Sequence, residues 1–148
     1  MEKRFELFTT YIAKINRSIR RIKTEEMAEF DLKSPHVSCI YYLYKQNLLT
    51  AKQLCDICEE DKAAISRSID YLEKNGLIKC SSKTEKRYKS PLSLTEKGQE
   101  IGNQVARVID EVVDKASIGL TEQDREVFYK CLFVIANNLQ KIEDEYGD

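Results

Sequence analysis

The sequence predicts a mainly α-helical protein with one small β-hairpin, and three observations carry that prediction. Apolar residues recur at steps of three and four along most of the 148 positions. Capping residues (Ser, Thr, Asp) and glycine fall where the apolar pattern starts and stops. Between Thr50 and Gly98 a short helix, a tight turn, a second helix and a polar, basic hairpin follow one another. Helix, turn, helix and hairpin together make a winged helix-turn-helix lobe. The flanking helices then form a helical dimerisation lobe built from both termini. The expected boundaries are 1–33 for an N-terminal dimerisation helix, 34–98 for the winged lobe, and 99–148 for the connecting and C-terminal dimerisation helices, all in one compact unit.

The first stretch, Glu2 to about Glu29, sets Phe5, Phe8, Ile12, Ile15, Ile19 and Ile22 at alternating steps of three and four. That seam is narrow, as in coiled coils, and a partner should cover it. Arg17, Arg20, Arg21 and Lys23 lie largely off it. After a break at Phe30–Lys33, Ser34 reads as an N-cap with Pro35 at the first helical position. Val37, Ile40, Tyr41, Leu43 and Tyr44 continue that helix to about Gln46.

In the central stretch, Thr50 with Gln53 three residues on forms a capping box, ahead of Leu54, Ile57 and Cys58. A turn at Glu59–Asp61 follows, and Asp61 caps a second helix whose Ile65, Ile69 and Leu72 point inward. Gly76 closes that helix, since Gly takes the left-handed conformation after a C-terminus without a Cβ clash. Leu77, Ile78 and Cys80 lead into the turn SSKTEKR, and Leu92 and Leu94 lead out. Pro91 cannot donate a ladder hydrogen bond, so the returning strand should be an edge or carry a bulge. Thr95 caps a long helix through Ile101, Val105, Val108, Val112 and Ala116, which Gly119 interrupts. Thr121 and Asp124 open a last helix, with Phe128, Leu132, Ile135, Leu139 and Ile142 in another narrow seam. Two such seams, one near each terminus, suggest a twofold homodimer.

The formal net charge of −1 hides an uneven distribution. Residues 1–49 carry nine basic and six acidic residues, 50–98 ten and eight, and 99–148 five and eleven. Within Lys74–Lys89 six basic residues face one acidic residue, and it is this local field that a phosphate backbone meets. No run reaches the roughly 20 apolar residues of a membrane span, and no signal-peptide pattern is visible, so a cytoplasmic protein is expected. With one histidine, no glycine-rich phosphate loop and no H-E-x-x-H, the parts of an enzyme are missing, and no cofactor is expected.

The residues placed to read DNA follow from the helix-turn-helix. The start of a recognition helix faces base edges in the major groove. Lys62, Ala63, Ala64, Ser66 and Arg67 form that set. Arg67 can donate twice to guanine, the two alanines permit close approach, and Lys52, Lys62 and Ser68 suit phosphates. In the hairpin, Lys86 and Arg87 suit a narrow minor groove, with Lys83 and Lys89 beside the backbone.

LEKNGLIKC, the EKR of the turn and LTEKG together resemble the MarR family of bacterial transcription regulators. The resemblance covers most of the chain, because helices flank the motif in the family's order. It departs at Glu85-Lys86-Arg87, where the family usually carries Asp-x-Arg. It implies a double-stranded DNA operator, an inverted repeat read by a homodimer, and a repressor as the expected regulator. It also implies a crevice for a small aromatic acid between the lobes, for which Tyr11, Arg17, His36, Tyr41, Tyr42 and Tyr44 are the residues at hand. Aromatic residues at helical spacing also serve as core or interface, and His36 also suits a helix start. The alternatives are an activator or architectural DNA binder, and a winged helix used for protein–protein contact; the latter predicts a neutral or acidic wing.

Five cysteines in a chain of this composition read as reduced thiols. The C-x-x-C of Cys55 and Cys58 lacks further zinc ligands nearby, so both are expected as small buried hydrophobes. Only Lys52 and Lys62 lie close to them in sequence. The redox sensors of the resembled family place their cysteine near the start of the first helix, which this chain does not. Cys39, Cys80 and Cys131 read as core or strand fillers.

Overall fold

A computed structural model describes residues 3–58, 60–81 and 89–147. The described elements are α1 (Arg4–Glu26), a 3-10 turn at Ala28–Phe30, α2 (Ser34–Gln46), α3 (Ala51–Cys58), α4 (Lys62–Lys74), β1 (Ile78–Cys80), β2 (Leu92–Leu94), α5 (Glu96–Ala116) and α6 (Glu122–Asp144). The chain packs as two units, Met1–Asp110 and Glu111–Asp148.

In the first unit the core is made where α2, α3, α4, the two strands and the first turns of α5 meet. Ile40, Leu43, Leu54, Ile65, Leu72, Leu92 and Val105 are wholly buried there. Burial of such side chains contributes about 1.5–3 kcal/mol each, which makes this cluster the main source of the lobe's stability. From Lys3 to Arg21 every residue of the α1 region is exposed, and only Ile22, Lys23 and Thr24 are half-buried against the lobe. Phe5 is 79% and Ile15 51% exposed, so the narrow seam stands open along most of α1. In the second unit α6 buries no residue of its own, and Phe128, Leu132, Ile135, Leu139 and Ile142 are exposed.

The short-range signals hold. Thr50 N–H donates to Gln53 Oε1 at 2.9 Å and Gln53 N–H to Thr50 Oγ1 at 3.2 Å, the two halves of a capping box. Asp61 Oδ1 accepts from Ala64 N–H at 2.6 Å, and Thr121 and Asp124 exchange bonds of 2.9 and 3.0 Å. α4 ends in a Schellman motif. Gly76 sits at φ 72°. Gly76 N–H bonds Glu73 C=O, Leu77 N–H bonds Leu72 C=O, and the buried Leu72 and Leu77 complete the motif.

Three local expectations change. α1 ends at Glu26 rather than about Glu29, and the chain tightens into the 3-10 turn and a left-handed Asp31 at φ 57°. α2 starts one residue earlier than its Ser-Pro signature suggests. Lys33 is the extended cap residue, and its N–H donates to His36 Nδ1 at 3.0 Å. Ser34 N–H donates instead to Thr24 Oγ1 at 3.0 Å, which ties the start of α2 to α1. Pro91 lies just before β2, not inside it, so the strand needs neither an edge nor a bulge to accommodate it. Its carbonyl accepts from Ser81 N–H and Ser81 Oγ–H, both at 2.9 Å. β2 pairs antiparallel with β1 (Ile78 opposite Leu94, Cys80 opposite Leu92) and bridges Leu49 on its other side.

Candidate nucleic-acid interface

α4 is the element on which the exposed candidates are arranged. Its inward face is Ile65, Ser68, Ile69 and Leu72, all buried, and its outward face carries Lys62, Ala63, Ser66 and Arg67, all exposed. Ala64 is half-buried at the border. Ser68 corrects the sequence expectation. At 3% exposure it faces the core and is withdrawn from any phosphate. The signal was present, because positions 65, 68, 69 and 72 follow the i, i+3, i+4, i+7 stripe of a buried helix face. Lys52 is exposed on α3, and Lys89 is exposed just before the buried Ser90. Lys83, Lys86 and Arg87 lie outside the described residues.

Three contacts position α4, and only the first, the Asp61 cap, is visible in the sequence. Asp61 fixes its first turn. Tyr71 O–H donates to Asp31 C=O at 2.6 Å and reaches Asp31 Oδ2 at 3.2 Å, anchoring the helix to the link before α2. Burial and the Asp31 hydrogen bond together push the Tyr71 phenol up. The His36 ring stacks on Tyr71, with centroids 4.3 Å apart and planes 13° from parallel. Just ahead of α4, Glu60 Oε1 meets Arg20 Nη1 at 2.7 Å and holds the α3–α4 connection against α1.

The effector candidates separate. Tyr11 is 58% exposed, and Arg17 is exposed on the same open stretch of α1. His36 is occupied as a helix cap and as a stacking partner of Tyr71. Partial burial, reinforced by the Lys33 charge, holds its imidazole below the ordinary value. Tyr41 meets Tyr42 edge-on at 5.2 Å with Lys45 Nζ over its face at 5.6 Å. Tyr44 O–H donates to Asn103 Oδ1 at 3.4 Å. His36 and Tyr44 are eight residues apart on one helix, about 12 Å along its axis. An open cavity of about 460 Å³ is lined by Arg20, Arg21, Thr24, Glu25, Lys33, Ser34 and Pro35, and by none of the expected residues.

The thiols also differ from expectation. Cys39 is buried, but Cys55 and Cys58 are only half-buried, and Cys131 is exposed on α6. Among the described residues no group of side chains is arranged to hold a metal ion, and no helix is long and apolar enough to cross a membrane.

Comparison with known proteins agrees with this geometry. Residues 30–87 match the MarR family model. A MarR-family regulator from Listeria monocytogenes, solved with a 26mer DNA, superposes with a TM-score of 0.84 at 25% identity, covering 95% of each chain. A SlyA-like transcription regulator from the same organism gives 0.83 at 25% identity over 94% of each chain. Staphylococcus aureus MarR, solved with salicylate and kanamycin, gives 0.78 at 17% identity, covering 92% of this chain and 91% of that one. No curated protein matches the sequence. The matched segment spans the helix-turn-helix and enters the hairpin: residues 30–87 match the MarR family, and the fold over nearly the whole chain is that of solved MarR-family transcription regulators.

Proposed function

We propose that the chain is a homodimeric, sequence-specific double-stranded DNA-binding repressor that reads an inverted repeat and responds to an effector. The observation that carries this reading is the two-sided α4. Its capped start presents Lys62, Ala63, Ser66 and Arg67 outward, and its other face is locked in the core. The Listeria relative solved with a 26mer DNA supports the assignment of the partner. In this reading α4 enters the major groove, Arg67 reads a base, Lys52 and Lys62 meet phosphates, and Lys83, Lys86, Arg87 and Lys89 follow the minor groove and its backbone.

The dimer rests on the open seams. Phe5, Ile12, Ile15 and Ile19 on α1 and Phe128, Leu132, Ile135 and Leu139 on α6 are 36–79% exposed, an apolar surface that a second copy would cover. In this reading residues 1–33 and 99–148 supply the dimerisation surface, and residues 34–98 the DNA-reading winged lobe. The two recognition helices would meet half-sites about one duplex turn apart. A small aromatic acid is the effector class, supported by the salicylate bound to the Staphylococcus relative. A regulator of this kind works in the cytoplasm.

The test is binding of the purified protein to its own upstream DNA against random duplex, across a salt series. Tight, selective upstream binding is expected, with Arg67→Ala relaxing choice at one base pair by about 1–3 kcal/mol. Arg87→Ala should weaken all sequences alike and lower the salt slope. Steep salt dependence without selectivity would replace this reading with an architectural binder. Binding to neither duplex at low salt would favour the protein-contact module.

A further inference from the structure

The last turns of α1 and the start of α2 enclose a place that the proposed DNA-reading residues leave unused. Arg20 and Arg21, with Thr24 and Glu25 one turn on, share a face of α1. With Lys33, Ser34 and Pro35 from the start of α2 they line the open cavity of about 460 Å³. Ser34 N–H donates to Thr24 Oγ1 at 3.0 Å and fastens the two walls together. The walls bring three cations (Arg20, Arg21 and Lys33) against one carboxylate, Glu25. Among the described residues no aromatic ring lines them, which sets this cavity apart from a crevice built for an aromatic acid.

Two hydroxyls in these walls have a proton to give. Thr24 Oγ1 already accepts from Ser34 N–H, so its own proton is left for a ligand. Ser34 is 4% exposed, and among the described residues its Oγ is the buried side-chain oxygen without a hydrogen-bond partner. Such a group costs stability, and a ligand oxygen at this wall would satisfy it. The 13-residue α2 also turns the positive end of its dipole here. Ser34 N–H is taken by Thr24 and Pro35 has none, so the donors are side chains rather than free amides. Guanidinium forks, an ammonium and two hydroxyls suit a tetrahedral oxyanion, which presents several oxygens at once. Arg20 has a second task, because its Nη1 meets Glu60 Oε1 at 2.7 Å. Its side chain is still 47% exposed, which leaves its other N–H groups open to a ligand.

We propose that this cavity binds the phosphate group of a small phosphate compound, and that the bound group draws Arg20 away from Glu60. Arg21 and Lys33 supply charge, Thr24 and Ser34 donate their hydroxyl protons, and Arg20 turns its fork from the carboxylate to the phosphate. Glu60 then loses the ion pair that holds the α3–α4 connection to α1. The cap Asp61 follows directly after Glu60, so the start of α4 loosens and DNA affinity falls. By linkage, DNA lowers the affinity for phosphate by the same factor. The coupling rests on α4 being the DNA-reading helix; the anion site does not.

The test titrates the full-length protein with inorganic phosphate in a calorimeter, at constant ionic strength because DNA binding is itself salt-dependent. Saturable binding at one site per chain is expected. Glycerol 3-phosphate is the parallel arm, and whichever of the two binds tighter supports the site and names its source, a monoester or the free ion. Salicylate binding there more tightly than either would overturn the oxyanion assignment. Arg21→Gln should weaken phosphate binding at least tenfold and Ser34→Ala several-fold, both with unchanged circular dichroism. Glu60→Gln removes the competitor and should tighten phosphate binding several-fold, which a merely structural ion pair would not do. Saturating phosphate should lower upstream-DNA affinity at least tenfold in the parent and far less in Glu60→Gln. No saturable binding, or binding unmoved by Arg21→Gln and Ser34→Ala, would overturn the proposal. Loss of DNA affinity in Arg21→Gln without added phosphate would assign the cavity to the DNA backbone and overturn it as well. Phosphate binding with unchanged DNA affinity would overturn the coupling to α4. Protein that binds no DNA even without phosphate would count against the proposed function, while the calorimetry still decides the anion site.

Discussion

Gly98, the glycine of LTEKG, is where the helix α5 comes closest to the hairpin, and replacing it tests the packing of the winged lobe. A Cβ at Gly98 would lie deep inside van der Waals contact with the Leu77 carbonyl oxygen, with Leu77 C at 3.0 Å and Leu94 Cβ at 3.2 Å. The obstructing atom is backbone, and it already accepts the Thr95 N–H at 3.0 Å, so relief must move the strand or break that bond. Overpacking costs about 1–3 kcal/mol. Losing the bond costs about 1 kcal/mol more. Ala is the better helix former by about 1 kcal/mol, which offsets part of this. Gly98→Ala should therefore destabilise by about 2 kcal/mol, or roughly 4–8 °C in a chain of this size. Gly102→Ala is the milder comparison, because its Cβ would meet only side-chain atoms, Tyr44 Cδ2 at 2.9 Å, Tyr44 Cβ at 3.1 Å and Leu94 Cδ1 at 3.2 Å, and no backbone carbonyl. Urea and thermal unfolding of both variants at one fixed protein concentration would measure the difference, since in the proposed dimer stability depends on concentration. A Gly98→Ala variant as stable as its parent, or as stable as Gly102→Ala, would refute the close approach as the reason for the glycine.

Two further outcomes are expected. His36 is held neutral in the fold, with a folded pKa below the unfolded value of about 6.5. Its contribution is therefore complete above about pH 6.5 and lost as the pH falls through the folded value; protonating Nδ1 removes the acceptor for Lys33 N–H. Unfolding series between pH 7.5 and 5 should show this loss in the parent and a flatter profile in His36→Gln. Ile15→Glu, at a 51% exposed seam position, should leave the winged lobe folded by circular dichroism but give a monomer in analytical ultracentrifugation, with upstream-DNA affinity down at least tenfold. A dimeric Ile15→Glu would remove α1 from the interface.

The local features of the fold were legible because their partners are three or four residues apart. Thr50 with Gln53, Asp61 with Ala64 N–H, Thr121 with Asp124, and Gly76 after α4 all pair across a single turn, a separation that the chain itself determines. The α4 stripe is equally local, and Ser68 belonged to it by the same spacing as Ile65 and Leu72. The MarR resemblance was carried by such local pieces, LEKNGLIKC and LTEKG. Contacts between residues far apart in the sequence had no such signal. Leu49 beside Leu92, Tyr71 on Asp31, Arg20 on Glu60, and Lys23 on Ser38 depend on which helix faces meet once the core closes. Periodicity assigns a residue to a face but does not choose the neighbour that face packs against. For that reason the sequence by itself determined the elements, their caps and the outward face of α4. Only the tertiary structure brought Lys23 of the first helix onto Ser38 of the second, and Tyr71 of α4 onto Asp31.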